Sequence, residues 1–142
     1  MLEYNVRFGD PETQPIMLRL QSELVGLCEA ALDGKLDEVS ADWDPRAGLG
    51  VVLAAGGYPA DYRKGDVIDG LDSDFGEGVK VFHAGTAEQG GQVVTSGGRV
   101  LCVCALGESV LAAQTRAYEA VDKISWNGMY CRRDIGHRAI SR

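Results

Sequence analysis

Residues 2–8 alternate strictly between apolar and polar side chains. The apolar positions are Leu2, Tyr4, Val6 and Phe8, and the polar positions between them are Glu3, Asn5 and Arg7. Because successive side chains of a strand point to opposite faces, this period predicts a β-strand with one apolar and one polar face. The following stretch, GDPETQP, is rich in turn-forming residues and ends the strand.

A helical period replaces the alternation from residue 15 to about residue 32. Its apolar side chains recur at three- and four-residue spacing, at Met17, Leu20, Leu24, Leu27 and Ala31. This spacing predicts one amphipathic helix, with Pro15 in its first turn and Asp33 and Gly34 at its end. The polar stretch 35–47 then predicts a connector, in which Trp43 is expected to serve as an anchor.

A second unit begins near Gly48, where glycine turns separate short apolar runs. GLGVVLAA, KVFHAGT and QVVTSGGRVLCVCALG predict antiparallel strands separated by AEQGG and SGG turns, and DVIDGLD predicts a shorter extended piece. ESVLAAQTRAYEAVDKI predicts a helix, and the tail MYCRRDIGHRAI a last strand. The expected fold class is α+β: a strand, a helix and a connector over residues 1–47, then a small domain of short antiparallel strands with one helix over residues 48–142.

The hydrophobic fraction, net charge and cysteines of the chain exclude some classes of protein function. A chain of 142 residues with 45% hydrophobic residues folds rather than staying disordered, and its net charge of −7 disfavours general binding to nucleic acid or anionic membranes. The four cysteines form no disulfide framework and no signal peptide is apparent, so we expect a reduced, cytoplasmic setting. Cys102 and Cys104 share one face of an apolar strand and are expected to pack as small hydrophobic groups rather than to bind zinc.

The polar face of the opening strand is the strongest candidate for chemistry. Glu3 and Asn5 offer hard oxygen donors of the kind that Mg²⁺ accepts, and Arg7 could grip a phosphate or acyl-phosphate oxygen. The alternative is an edge strand whose polar side faces solvent. Spacing alone favours that alternative, since Glu-x-Asn-x-Arg is a short motif.

Several longer segments of the sequence resemble segments of known protein families. LEYNVRFGDPETQPIMLRL resembles the final catalytic strand and following helix of the ATP-grasp ligases. LGVVLAAGGYPADYRKGDVI, KVFHAGT, VVTSGGRVLCVCALG and CRRDIGHRAI are similar to the C-terminal domain of one family among them, the phosphoribosylamine–glycine ligases, or glycinamide ribonucleotide synthetases. Members of that family are much longer, so the resemblance implies their C-terminal portion, which is expected to be inactive alone.

The resemblance also implies a reaction and roles. The family joins glycine to 5-phosphoribosylamine through a glycyl phosphate, in de novo purine (IMP) biosynthesis, with ATP as co-substrate. It implies Glu3 and Asn5 as ligands of Mg²⁺ (or Mn²⁺) and Arg7 as the group that stabilises the acyl phosphate. Asp10, and more weakly Glu12, are candidates for orienting the amine or glycine, although Asp10 could equally cap the following segment. The resemblance implies no ATP-binding residue within this stretch.

An autonomous binding module derived from the same C-terminal domain stays open as an alternative function. In that case the apolar side of the opening strand would pair with another protein or with a second copy of the chain. Under the ligase interpretation as well, residues 1 to about 14 of this chain are expected to be disordered or held in a foreign contact. A sister ATP-grasp carboxylase is disfavoured by the downstream runs. His83 is expected to be a hydrogen-bonded structural residue rather than a general base. The basic C-terminus is expected to face water, with a phosphate or an acidic neighbouring domain as alternatives; its residues are Arg132, Arg133, His137, Arg138 and Arg142.

Overall fold

The structure, a computed structural model, describes residues 6–141. Its helices are α1 (Thr13–Arg19), α2 (Leu24–Leu32), α3 (Val110–Val121) and α4 (His137–Ile140), with one 3₁₀ turn at Leu36–Glu38. Its strands are β1 (Ala47–Ala54), β2 (Val79–His83), β3 (Thr86–Gln89), β4 (Gln92–Thr95), β5 (Arg99–Gly107) and β6 (Tyr130–Cys131). This mixture of antiparallel strands and a few helices confirms the predicted α+β class.

Four strands form one antiparallel sheet in the order β2-β5-β1-β6. The inner strand β5 is buried at every residue after Arg99, as its apolar sequence predicts. β3 and β4 form a separate hairpin. The predicted AEQGG turn is therefore too long: only Gly90 and Gly91 make the turn, and both have the positive φ that a two-residue hairpin turn requires.

The core lies between the sheet and α3. Alternate residues of β1 and β5 are fully buried, including Val51 and Leu53 in β1 and Leu101 and Val103 in β5. The helix contributes small side chains such as Ala113 and Ala117, also fully buried, so that its backbone approaches the sheet closely. The helix starts at Ser109, whose hydroxyl accepts a hydrogen bond from the amide of Ala112 at 3.2 Å.

The other face of the sheet is covered by α1. A Cβ atom on Gly50 would lie 3.2 Å from the sulfur atoms of Cys102 and Cys104 and 3.4 Å from Cδ of Pro15, so these groups pack together. The two sulfurs are 3.6 Å apart and buried, and their hydrogen bond, with burial, raises the pKa of the Cys104 thiol. All four thiols, which lie within the described residues, are free. The prediction that this pair packs as small hydrophobic groups is confirmed.

The single predicted helix over residues 15–32 is wrong, since the chain leaves the helix between α1 and α2. Leu20 pairs with Trp43 as an isolated antiparallel bridge, and the amide of Gln21 donates to the carbonyl of Asp42 at 2.9 Å. The connector thus offers backbone partners that compete with the helical ones. Trp43 anchors the connector through its backbone bridge to Leu20, and the residue is 44% exposed.

Both ends of the chain also depart from prediction. Residues 6–8, the described part of the predicted opening strand, belong to no strand, and Leu2 and Tyr4 lie outside the described residues. The prediction of disorder is wrong for residues 9–14, because α1 begins at Thr13 and the amide of Thr13 donates to the carbonyl of Gly9. The prediction of a foreign contact stays a prediction. At the tail, β6 has only two residues, and α4 follows it.

A buried carboxylate joins α1 to the start of β1. Asp44 accepts hydrogen bonds from Nε of Arg46 at 3.0 Å, from its Nη2 at 2.7 Å and from its amide at 2.9 Å. The guanidinium of Arg19, at the end of α1, donates to the carbonyl of Asp44 at 3.1 and 2.8 Å. The hydrogen bonds from Arg46 lower the pKa of Asp44 to about 2.

This carboxylate predicts an acid-sensitive contribution to stability. The pKa of Asp44 is lower in the folded chain than its ordinary value of 3.8, so its contribution is complete above that value and is lost as the pH falls toward about 2. We expect Asp44→Asn to lower the free energy of unfolding at neutral pH and to flatten its decline in acid. Urea unfolding between about pH 2 and 6 measures both. Asp37→Asn, at an exposed site, should keep the wild-type slope, and an equal slope for Asp44→Asn would contradict the prediction.

Candidate functional site

The candidate site is a cavity beside the turn that precedes α1. The cavity has a volume of about 340 Å³ and is lined by Arg7, Phe8, Gly9, Asp10, Glu12 and Arg99. The structure therefore brings together Arg7, Asp10 and Glu12, three residues that the sequence singled out. Glu3 and Asn5 lie outside the described residues, so their assignment as metal ligands stays a prediction.

Arg7 is exposed at this cavity and weakly engaged. Its only hydrogen bond with the described residues runs from Nη1 to the carbonyl of Phe8, at 3.4 Å. A guanidinium has five N–H donors in a planar fork that matches phosphate and carboxylate oxygens. Most of the donors of Arg7 are thus available for an anionic ligand.

Asp10 forms an ion pair with Arg99, which lies 89 residues later, at the start of β5. Nη2 of Arg99 lies 3.0 Å from Oδ2 of Asp10, and Nη1 donates to the main-chain carbonyl of the same residue at 3.3 Å. Asp10 does not cap α1, whose N-cap is Glu12 and has no side-chain cap hydrogen bond. The capping role considered for Asp10 is therefore wrong.

Sequence reasoning missed Arg99. It lies 89 residues from Asp10, so no motif spacing connects the two. The available signal was a charged residue at the head of the apolar run RVLCVCALG, directly after a glycine pair. The glycines permit a close turn there: a Cβ atom on Gly97 would lie 2.9 Å from Cα of Gly85.

A second, mostly apolar cavity of about 290 Å³ lies next to the first and shares Arg99 with it. Its other walls include Pro11, Val52, Ala54, Tyr58, Tyr130 and Ile135. Arg99 therefore stands between a polar cavity that holds Arg7 and an apolar one along the sheet.

The remaining basic and histidine side chains lie elsewhere. Arg132 pairs with Asp134 at 2.7 Å and Arg133 with Asp122 at 2.6 Å, and all four are exposed. The exposure of these two arginines agrees with the prediction that the basic C-terminus faces water, which stays a prediction. His83 is exposed, with Nδ1 3.0 Å from the hydroxyl of Thr86, and lines neither cavity. Its predicted role as a hydrogen-bonded structural residue fits this position.

Metal-binding groups do not converge within residues 6–141. No three histidine, cysteine, aspartate or glutamate side chains there are placed to hold a metal ion together. None of the helices formed by these residues is sufficiently long and apolar to span a bilayer.

The chain was compared with known proteins. The family model described as phosphoribosylglycinamide synthetase, C domain, matches residues 48–138. Phosphoribosylamine–glycine ligases from Vibrio cholerae and Pseudomonas aeruginosa are 69% and 65% identical over the whole chain, which covers 33% of each relative. A crystal structure of a phosphoribosylamine–glycine ligase from Thermotoga maritima matches with a TM-score of 0.73 at 40% identity, over 94% of this chain and 32% of that one.

The chain thus spans about a third of the length of these relatives. Both the family model and the whole-length identity concern the same portion of the ligase. The chain belongs to the phosphoribosylglycinamide synthetase C-domain family and corresponds to the C-terminal portion of the phosphoribosylamine–glycine ligases.

Proposed function

We propose that this chain is the C-terminal part of a phosphoribosylamine–glycine ligase, acting in de novo purine (IMP) biosynthesis. The whole enzyme joins glycine to 5-phosphoribosylamine at the expense of ATP and releases glycinamide ribonucleotide, ADP and phosphate. The observation that carries the proposal is the 69% identity to a ligase over all 142 residues. That match includes the turn in which Arg7 and Asp10 line one cavity.

The reaction proceeds in two steps. The γ-phosphoryl group of ATP is transferred to the carboxylate of glycine, which gives an acyl phosphate. The amine of phosphoribosylamine then attacks the acyl carbon: a C–N bond forms, the C–O bond to phosphate breaks, and the amine loses a proton. Negative charge develops on phosphoryl and carbonyl oxygens, so positioned cationic groups lower the barrier.

Arg7 supplies one such cation. Its available donors suit the phosphoryl oxygens of the acyl phosphate, while Asp10 orients the incoming amine or glycine and Glu12 is a weaker candidate for that role. Glu3 and Asn5 would hold Mg²⁺ or Mn²⁺, which when bound neutralises charge on the phosphates. The ATP-binding residues belong to the preceding part of the enzyme.

The chain divides functionally near residue 47. Residues 1–47 form the end of the ATP-grasp domain, and residues 48–142 form the ligase C-terminal domain. The family match that begins at residue 48 supports this division. A cytoplasmic location with small-molecule substrates, rather than nucleic acid or membrane, is supported by the net charge of −7 and the free thiols.

An uncovered helix face supports a longer enzyme. α2 has no buried residue, although one of its sides is apolar: this α2 face consists of Leu24, Val25, Cys28 and Leu32. Val25 is 62% exposed and Leu32 88% exposed. A contiguous apolar face of this kind normally packs against a partner. The preceding part of the ligase, about two thirds of the relatives' length, is the partner that we propose.

Cys28 reports on that partner, because it lies within the α2 face. In the 142-residue chain we expect a thiol reagent to alkylate Cys28 rapidly, since the residue is exposed. In the longer ligase we expect the rate to fall at least about tenfold, because alkylation then requires local opening. Peptide mass spectrometry after timed alkylation measures the rate at this site.

A matched control removes differences in reagent or folding. Glu88 is exposed on the β3–β4 hairpin, away from α2, so a cysteine introduced as Glu88→Cys should react equally in both chains. Protection of Cys28 that rises with the concentration of the short chain would indicate self-association instead, in line with a binding module. Equal reactivity of Cys28 in both chains would contradict a covered α2 face.

The function itself is tested by ligase turnover. The longer chain should release ADP over many turnovers only when glycine and phosphoribosylamine are both present, and glycinamide ribonucleotide should accumulate in equal amount. ADP release that ignores either substrate would contradict the proposed reaction.

A further inference from the structure

We infer that Arg99 is a positioning residue for the ligase reaction, because it holds Asp10 in place beside Arg7. The inference rests on the proposed function and adds to it a residue from the C-terminal domain. It assigns to that domain a direct part in shaping the site, through a contact between β5 and the turn before α1.

The contact has two points. One nitrogen of Arg99 pairs with the carboxylate of Asp10 at 3.0 Å, and the other donates to the carbonyl of Asp10 at 3.3 Å. A planar guanidinium that touches both groups constrains the side chain and the backbone of Asp10 at once. A lysine ammonium offers a single point charge and cannot reproduce that geometry.

The main chain of Arg99 is held in place by contacts with neighbouring segments. Its carbonyl accepts a hydrogen bond from the amide of Gly85 at 2.9 Å, and it is paired in register with Ala54. The register between β1 and β5 shifts at this point, since Leu53 pairs with Leu101 while Ala54 pairs with Arg99. Such irregularities re-aim side chains at the ends of strands. Here the re-aimed side chain reaches Asp10.

The other ion pairs of residues 6–141 differ from this one in their position relative to the candidate site. Only in the pair of Arg99 and Asp10 do both partners line the cavity that holds Arg7. Both side chains are also partly exposed, and exposed ion pairs contribute little to stability. The contact is therefore expected to affect the geometry of the site far more than the folding of the chain.

The test uses the longer ligase and five variants: R99A, R99K, D10N, the double variant R99A/D10N, and R63A as control. We expect R99A to lower kcat/KM for phosphoribosylamine or glycine at least about tenfold, because small misplacements of an orienting group are costly. R99K should lie between wild type and R99A. Added guanidinium ion should restore part of the R99A activity. Since Arg99 acts through Asp10, the double variant should be no slower than D10N.

The control separates positioning from stability. Arg63 also forms an exposed ion pair with an aspartate, Asp66, but lines neither cavity beside Asp10. R63A should keep kcat/KM within about twofold of wild type. R99A and R63A should both keep the melting temperature within about 3 °C of wild type.

Three outcomes would overturn the inference. The first is a kcat/KM of R99A within about twofold of wild type. The second is a double variant in which the losses of kcat/KM from R99A and D10N multiply. The third is a loss in R99A that added guanidinium ion does not reduce, together with an equal loss in R99K. The unmutated ligase in the same assay separates the two claims. If it is active and R99A is equally active, only the role of Arg99 is overturned; if it is inactive, the proposed function and this inference fail together.

Discussion

Replacing Arg7 with methionine in the longer ligase is expected to lower kcat about 100-fold, with little change in the KM for ATP. The physical reason is the position of its guanidinium. Arg7 lines the cavity that also holds Asp10, and it makes only one weak hydrogen bond of 3.4 Å with the described residues. In the proposed reaction its charge would therefore be available where negative charge develops on the acyl phosphate, rather than being used to hold the fold.

Variants of similar size separate charge from geometry. Arg7→Lys keeps the charge but loses the bidentate fork, so it should retain more activity than Arg7→Met and less than wild type. Since Arg7 is exposed, both variants should keep the melting temperature of the parent. Steady-state kinetics with saturating ATP measure the effect. A kcat for Arg7→Met within about twofold of wild type would remove Arg7 from the mechanism.

Local sequence signals predicted the second half of the fold. Alternating or continuous apolar runs predicted β1, β2, β4 and β5, and helical spacing predicted α3. Two local devices set the bounds of some of these elements: a Gly-Gly turn fixes the β3–β4 hairpin, and Ser109 caps α3 through its own first turn. Period and turn chemistry are sufficient where the partners are close in sequence.

Distant pairings could not be predicted in this way. The break between α1 and α2 results from pairing of Leu20 with Trp43, which helical spacing does not encode. The contact between Asp10 and Arg99 spans 89 residues and joins two segments whose local patterns are unrelated. The site was therefore half predicted: the turn with Arg7 and Asp10 followed from the motif and its resemblance, whereas the β5 contribution needed the tertiary structure.

Turnover should be absent from the 142-residue chain. Residues 6–141 contain no convergent set of metal ligands, and Arg7 faces an open cavity without the phosphate-binding part of the enzyme. Phosphoryl transfer depends on several groups that position both substrates, and in the proposed enzyme the ATP-binding groups precede this chain, so we expect the 142 residues alone to give no measurable fraction of the rate. The expected loss is complete, larger than for any single substitution.

The most direct measurement compares glycine- and phosphoribosylamine-dependent ADP release by the longer ligase and by the 142-residue chain at equal concentration. Our account predicts turnover by the longer chain, in step with formation of glycinamide ribonucleotide, and only the uncatalysed background for the short one. Turnover by the 142 residues alone, or none by the longer chain, would contradict it.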